Sequence, residues 1–254
     1  MKRWPLILMY HRVVERMDTH DPSGNTITAA AFESQLLWLM SQGYRCVPLA
    51  AIAASADDGE QGGSLPDRTF AITFDDGYRD NHQVAWPILR RHVLPATVFL
   101  ATDCIGGVNE FDRRPGPYPL SMLSQDEIRE MHAAGNEFGS HTCSHPDNLT
   151  TLPRASLERE LSESRRRIES ILDAPCASFS YPHGKHNARI EAAVKDSGYG
   201  YACGAVGTRL DRYALSRLDA ARWSGAALRI GLMERDVKWR ARRTALIGAL
   251  AARR

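Results

Sequence analysis

Four places in the chain set carboxylates or imidazoles directly behind a short apolar run. His11 follows Leu6-Ile7-Leu8-Met9-Tyr10, and Asp75-Asp76-Gly77 follows Phe70-Ala71-Ile72-Thr73-Phe74. His141-Thr142-Cys143-Ser144-His145 follows Glu137-Phe138-Gly139-Ser140, and Pro182-His183-Gly184 follows Phe179-Ser180-Tyr181. Adjacent carboxylates at a strand end point in different directions, so one can bind a cation while the other stays free as a base. Taken alone, Asp75-Asp76-Gly77 reads as a turn, because Asp and Gly dominate turns. His141 and His145 have the i, i+4 spacing of helical metal sites, but Pro146 disfavours helical geometry at His145, so a looped turn is expected. No Glu lies between the two, so this is not the H-E-x-x-H pattern. Alone, the pair reads equally as two surface histidines beside a proline turn. Two imidazoles and one carboxylate would leave zinc an open position, which a catalytic metal needs. Cys143 is read as a bystander.

These groups need elements to hold them. Pro5 to Tyr10, Thr69 to Phe74, Ala96 to Leu100, Glu137 to Ser140, Cys176 to Tyr181 and Tyr199 to Cys203 read as strands. Between them lie segments of helical period. Thr28 can cap a helix with an apolar face of Phe32, Leu36, Leu39 and Met40, closed by Gly43. Val84, Ile88 and Leu89 suggest a helix bent by Pro87. Asp126 to Ala134 is a further helix. Leu157, Leu161 and Ile168 mark a charged one ending near Asp173-Ala174-Pro175, and Asn187 can cap another bearing Ile190 and Val194. Ala54 to Asp67 and Asp103 to Ser121 read as surface loops. Alternating strands and helices, with no repeat and no clear linker, argue for an α/β fold with a mostly parallel sheet. In such folds, functional groups gather where strands end.

Composition closes other classes. The 254 residues are 43% apolar and 24% charged, with 19 Gly and 13 Pro, which excludes collagenous and largely disordered chains. No apolar run approaches the ~18 residues of a membrane span. The stretch from Trp4 to Tyr10 contains Pro5, runs into His11 and meets no A-x-A site, so it reads as a strand rather than an export signal. The five cysteines (Cys46, Cys104, Cys143, Cys176, Cys203) are odd in number and form no C-x-x-C, which favours a reducing compartment over a disulfide scaffold. A cytoplasmic location follows as an expectation. The net charge is +2, unevenly spread. From Arg222 onward nine Arg and Lys meet only Glu234 and Asp236, a net +7, which leaves −5 on residues 1–221. That tail reads as a basic helix carrying Leu232, Val237, Leu246 and Leu250, packed on the 1–221 domain. Its charge would also suit peripheral contact with an anionic membrane. No motif points to nucleic acid.

Thr73-Phe74-Asp75-Asp76-Gly77 and His141-Thr142-Cys143-Ser144-His145 together resemble the polysaccharide deacetylase family, the NodB-homology domain of carbohydrate esterase family four. Pro95-Ala96-Thr97-Val98-Phe99 and Gly135 through Ser140 agree in spacing, and the resemblance runs from about Leu6 to Leu218. It implies a distorted (β/α)7 barrel and metal-dependent N-deacetylation of an amino sugar. It also implies that Asp76, His141 and His145 hold the metal and that Asp75 is the general base. Two departures stand out. Ser180 and His183 occupy positions where the family carries Arg and Tyr, and the late Leu-x-His that supplies the acid is absent. Tyr10-His11-Arg12-Val13 resembles the circularly permuted branch that includes poly-N-acetylglucosamine deacetylases, where the acid histidine comes first; His11 would fill that role. Arg217, in Leu215-Ser216-Arg217-Leu218, is a candidate orienter of Asp75.

The residue types suit the reaction. An amide is a poor electrophile with a poor leaving group. Zn2+, or Co2+ or Ni2+ with the same ligands, activates water and polarises the carbonyl. Asp75 would take the water's proton and His11 would protonate the amine. The loop at Tyr181, His183 and Gly184 would line the substrate, with a backbone N–H of His183 or Gly184 at the oxyanion. His20, His82, His92, His132 and His186 read as surface or ordinarily bonded residues, and Trp223 and Trp239 as packing. The expected substrate is an N-acetylated sugar in a glycan or lipid-linked saccharide. The alternatives are an amidohydrolase on a small non-sugar amide and a glycan-binding pseudoenzyme.

Overall fold

Short, mostly buried runs form the central sheet of the computed structural model, which describes residues 5–17, 24–56, 65–112, 119–206 and 211–222. In chain order the first elements are β1 (Leu6–Tyr10), β2 (Arg12–Val14), β3 (Thr26–Thr28), α1 (Ala29–Ser41), β4 (Arg45–Cys46), α2 (Leu49–Ala56) and β5 (Thr69–Phe74). Then come α3 (Trp86–His92), β6 (Ala96–Leu100), α4 (Gln125–Ala133), β7 (Glu137–Ser140), α5 (Arg154–Leu172), β8 (Ser178–Ser180), α6 (Ala188–Asp196), β9 (Tyr201–Val206) and β10 (Leu215–Asp219). Seven strands close a parallel ring in the order β1-β5-β6-β7-β8-β9-β10, with β10 returning to β1. Leu8 lies opposite both Ile72 and Leu218. A register shift between Leu215 and Arg217 distorts the last pairing. The expected (β/α)7 barrel is therefore present. β4 extends the sheet beside the start of β5, and β2 and β3 pair separately.

Alternation along each strand sorts the core into two layers. Ile7, Ala71, Phe99, Tyr201, Cys203 and Leu215 meet inside the ring, where Leu49, Ile52 and Ala53 of α2 join them. Leu8, Phe70, Ile72 and Val98 face outward and pack with Phe32, Leu36, Leu161 and Ile168 of the surrounding helices. Each such fully buried Leu, Ile or Phe contributes about 1.5–3 kcal/mol. Gly139 of β7 is required by space: a Cβ there would stand 2.3 Å from Ser178 Oγ and 2.7 Å from the Phe99 ring.

The helix starts follow their capping residues. Thr28 Oγ1 accepts from the Ala31 N–H at 3.3 Å and Asn187 Oδ1 from the Ile190 N–H at 3.1 Å, while Ser124 and Glu127 form a reciprocal capping box on α4. Pro87 lies one turn into a continuous helical run, at the junction of a π-helical turn at Asn81–Ala85 and α3, and the wider turn before it accommodates the missing N–H. Two expectations need correction. Met40 is exposed and lies off the buried stripe of α1. Leu49–Ala56, partly read as loop, is an alanine-rich helix. All five cysteines are unpaired. The basic segment after Arg222, with Trp223 and Trp239, lies outside the described residues, as does His20. Among the described residues no helix is long and apolar enough to cross a membrane.

Candidate active site

The end of β5 separates two neighbouring carboxylates. The Asp75 N–H donates to the Tyr10 carbonyl at 2.9 Å, so the β1–β5 ladder continues one residue past the strand and the Asp75 side chain keeps the inward phase of Ala71 and Thr73. The chain then turns sharply, with Asp76 at φ 73° and Gly77 at φ 84°. Gly77 suits that left-handed turn, and a Cβ there would also lie 2.7 Å from Leu100 Cδ2. The turn sends the Asp76 carboxylate away from that of Asp75.

Asp75 meets a guanidinium. Arg217 Nη1 and Nη2 donate to Asp75 Oδ1 and Oδ2, each at 2.7 Å, with both residues at most 3% exposed. Arg217 is itself fixed by donating to Ser180 Oγ (2.9 Å), the Gly204 carbonyl (3.2 Å) and Thr73 Oγ1 (3.3 Å). Burial would raise the Asp75 carboxyl, but the charges of Arg217 and His141 and the Arg217 hydrogen bonds outweigh it. The group is held well below the usual carboxylate range. Ser180, which stands where the family pattern has Arg, leaves room for this residue from β10 and donates to Asp75 Oδ1 at 3.3 Å.

Asp76 meets two imidazoles. Its Oδ1 lies 3.4 Å from Nε2 of His141 and 3.4 Å from Nε2 of His145, and the three side chains are nearly closed to solvent. His141 Nδ1–H donates to the Ser180 carbonyl at 2.7 Å, which leaves its Nε2 as a lone pair facing inward. Burial pushes Asp76 up to about 6, reinforced by the neighbouring Asp75 charge, and pushes His141 down to about 3 and His145 down. Asp76 Oδ1 is buried without a hydrogen-bond donor. A lone pair and an orphaned carboxylate oxygen thus converge with no proton between them. Ligand atoms from the three residues lie within 4.8 Å of one another. This donor set fits one divalent ion, with borderline metals such as zinc suited to two imidazoles and a carboxylate.

The triad and Asp75 line one cleft of about 1230 Å³ at the strand ends. His11 is on its wall. The His11 carbonyl accepts from Asn81 Nδ2 at 2.8 Å, its flanks are held by Asp80 through Arg12 Nε (3.0 Å) and the Val13 N–H (3.2 Å), and its Nδ1 is buried without a partner. His183 and Gly184 line the cleft too, with the His183 ring 4.9 Å from that of His145. The Gly184 N–H, however, is spent on the Tyr181 carbonyl at 2.8 Å, which removes it as an oxyanion donor. Tyr181 is not at the cleft. Its ring is fully buried, stacked on His186, and its hydroxyl donates to the Tyr213 carbonyl at 2.8 Å. Cys143 points its thiol at α5 carbonyls, outside the triad.

Several cleft residues escaped the sequence reading. The Phe111 ring lies tilted 4.5 Å from the His145 ring and belongs to a stretch read as surface loop. Tyr78 follows the Asp75-Asp76-Gly77 turn directly. Asp219 pairs with Arg222 at 3.0 Å and keeps a buried, unbonded Oδ1; its position two residues after Arg217, on the same strand face, was the available signal.

Comparison with known proteins shows which family the chain belongs to. Residues 62–202, more than half of the chain, match the polysaccharide deacetylase family. A poly-beta-1,6-N-acetyl-D-glucosamine N-deacetylase of Staphylococcus aureus is 25% identical over 214 residues, covering 77% of this chain and 70% of that protein. A solved de-N-acetylase from Aggregatibacter actinomycetemcomitans superposes with a TM-score of 0.73 at 22% identity, covering 89% of this chain and 98% of that one. A Streptococcus pyogenes deacetylase solved with acetate gives 0.72 at 21% identity, covering 90% and 97%. The chain belongs to the polysaccharide deacetylase family, as a NodB-type hydrolase of sugar amide bonds.

Proposed function

We propose that the chain hydrolyses the acetamide of an N-acetylated amino sugar within a glycan, releasing acetate. One observation carries this reading: two adjacent carboxylates stand in opposite surroundings, Asp75 clamped by Arg217 and Asp76 presenting an unbonded Oδ1 to two imidazoles. Asp76, His141 and His145 would hold one divalent ion, with Zn2+ the first candidate. Such an ion supplies Lewis acidity, polarising the acetamide carbonyl and acidifying water. Asp75 remains ionised at neutral pH and takes the proton of the attacking water, while Arg217 fixes both its oxygens in one orientation. As the carbon–nitrogen bond breaks, His11 delivers a proton to the amine from the cleft wall. One water is consumed, and acetate and a free amino sugar leave.

The glycan acceptor is favoured over a small amide by size. The cleft exceeds the roughly 300–1,000 Å³ that suits a small molecule. The substrate named for the Staphylococcus aureus relative points the same way. The test is acetate release from N-acetylglucosamine oligomers by the zinc-reconstituted chain. Asp75→Asn is expected to lose about 10²–10⁴-fold in rate while still binding one ion. An unchanged rate would remove Asp75 from the chemistry, and a wild-type chain that binds sugar without turnover would make it a glycan-binding protein.

A further inference from the structure

We infer that Glu160 of α5 is the positioning residue that fixes the loop between the two triad histidines, an inference resting on the reading of that triad as a metal site. Glu160 is only 6% exposed, whereas Glu158 and Glu163 on the same helix are exposed. Its Oε2 accepts from the N–H groups of Cys143 (2.8 Å) and Ser144 (2.9 Å), and its Oε1 accepts from the Ser144 hydroxyl (2.7 Å). It touches neither histidine. It grips the middle of the connection joining them.

That connection needs holding. Thr142 at φ 72° and His145 at φ 54° both occupy the left-handed region, which is costly for residues with a Cβ and most so for a β-branched one. No helix or strand ladder serves its N–H groups; side chains do. Ser140 Oγ accepts from the Thr142 N–H at 3.1 Å and Thr142 Oγ1 from the His145 N–H at 3.0 Å. Glu160 takes the two between them. The carbonyls of Thr142 and Cys143 accept from the N–H groups of Thr102 and Asp103 at 3.0 and 2.9 Å, which pins the other side. The Nε2 atoms of His141 and His145 reach the same Asp76 oxygen because the backbone between them is clamped from both faces. Partners that orient metal ligands in this way typically carry 10–100-fold in affinity.

The experiment compares wild type with Glu160→Ala, Glu160→Gln and Glu160→Asp. It measures Zn2+ affinity by calorimetry, the Co2+ visible spectrum, the thermal midpoint, and amide exchange at Cys143 and Ser144 in the metal-free chain. Glu160→Ala is expected to lose about 10–100-fold in Zn2+ affinity, with an altered Co2+ spectrum and faster exchange at both amides. Glu160→Gln is expected to stay within a few-fold. Its amide oxygen can accept both N–H groups and its NH2 can donate to Ser144 Oγ, reversing only that hydroxyl. Should Glu160→Ala fail to fold, Glu160→Asp decides, because it is one methylene too short to reach both amides. A folded Ala or Asp variant with wild-type affinity and exchange overturns the inference. A Gln variant as impaired as Ala overturns it too, since charge rather than shape would then be at work. A wild-type chain that binds no Zn2+ instead removes the metal reading, and amide exchange still decides whether Glu160 holds the loop.

Discussion

Asp75 and Asp76 share a peptide bond and are both raised by burial, yet their net shifts are opposite, because a guanidinium reaches only the first and outweighs burial there. The Asp76 carboxyl is raised from 3.8 to about 6, so between those values the folded chain keeps a proton that the unfolded chain has lost. Its contribution to stability therefore falls as pH rises through that window, and the penalty is complete above about pH 6. In the metal-free chain, Asp76→Asn is expected to match wild type near pH 4. It should be the more stable by about 1–3 kcal/mol above pH 6, while losing metal binding. Denaturant melts in chelator from pH 4 to 8 check this, and a gap independent of pH would assign the effect to something other than that carboxyl. The pair and the two histidines were legible because type and spacing alone placed them at strand ends. Tyr181 was not, because packing against Phe179 and His186 decides which way a side chain turns at the end of β8. Glu160 was only half legible: three residues after Leu157 and next to Leu161, it falls on that helix's inward stripe, but nothing in the sequence says what a glutamate there holds.

At the level of the elements, β1, β5 and β6 read most clearly, because both of their faces are mostly apolar, whereas β7 and β8 carry polar residues and were placed by the residues around them. β10 escaped because Leu215-Ser216-Arg217-Leu218-Asp219 interrupts its apolar residues with the polar groups it delivers to the cleft. The strand that completes the site is disguised by the site. β2, β3 and β4 are two or three residues long and offer too few positions for a period to show. The inner layer sets its own tolerances. Gly139→Ala would drive a methyl into Ser178 and Phe99, and is expected to destabilise the chain by about 1–3 kcal/mol, the usual range for overpacking. A shift in the urea midpoint at unchanged slope is the signature to look for. An unchanged midpoint would mean that the Phe99 ring has another rotamer available.

For the molecule as a whole, the proposed ion, bound only by the folded ring, would couple chemistry to stability. At a free concentration one hundred times Kd, a single site adds about 2.7 kcal/mol, which is roughly 5–10 °C in Tm for a chain of this size. Calorimetric scans with Zn2+ and with chelator should differ by that order in wild type and not at all in Asp76→Asn. A shift that survives the substitution would place the ion elsewhere. The closure of the ring has a consequence of another kind. β1 pairs with β5 on one side and with β10 on the other, so Leu8 and Leu218 become neighbours across nearly the whole sequence. During synthesis, His11 emerges first and the three triad residues follow, yet the guanidinium that grips Asp75 arrives only with Arg217. Until then Asp75 has no guanidinium partner and one flank of β1 is still unpaired. Such distant closure is intrinsically slow and leaves an open strand edge while it waits. On the proposed mechanism, the clamp on Asp75 is thus the last of these site residues to be made.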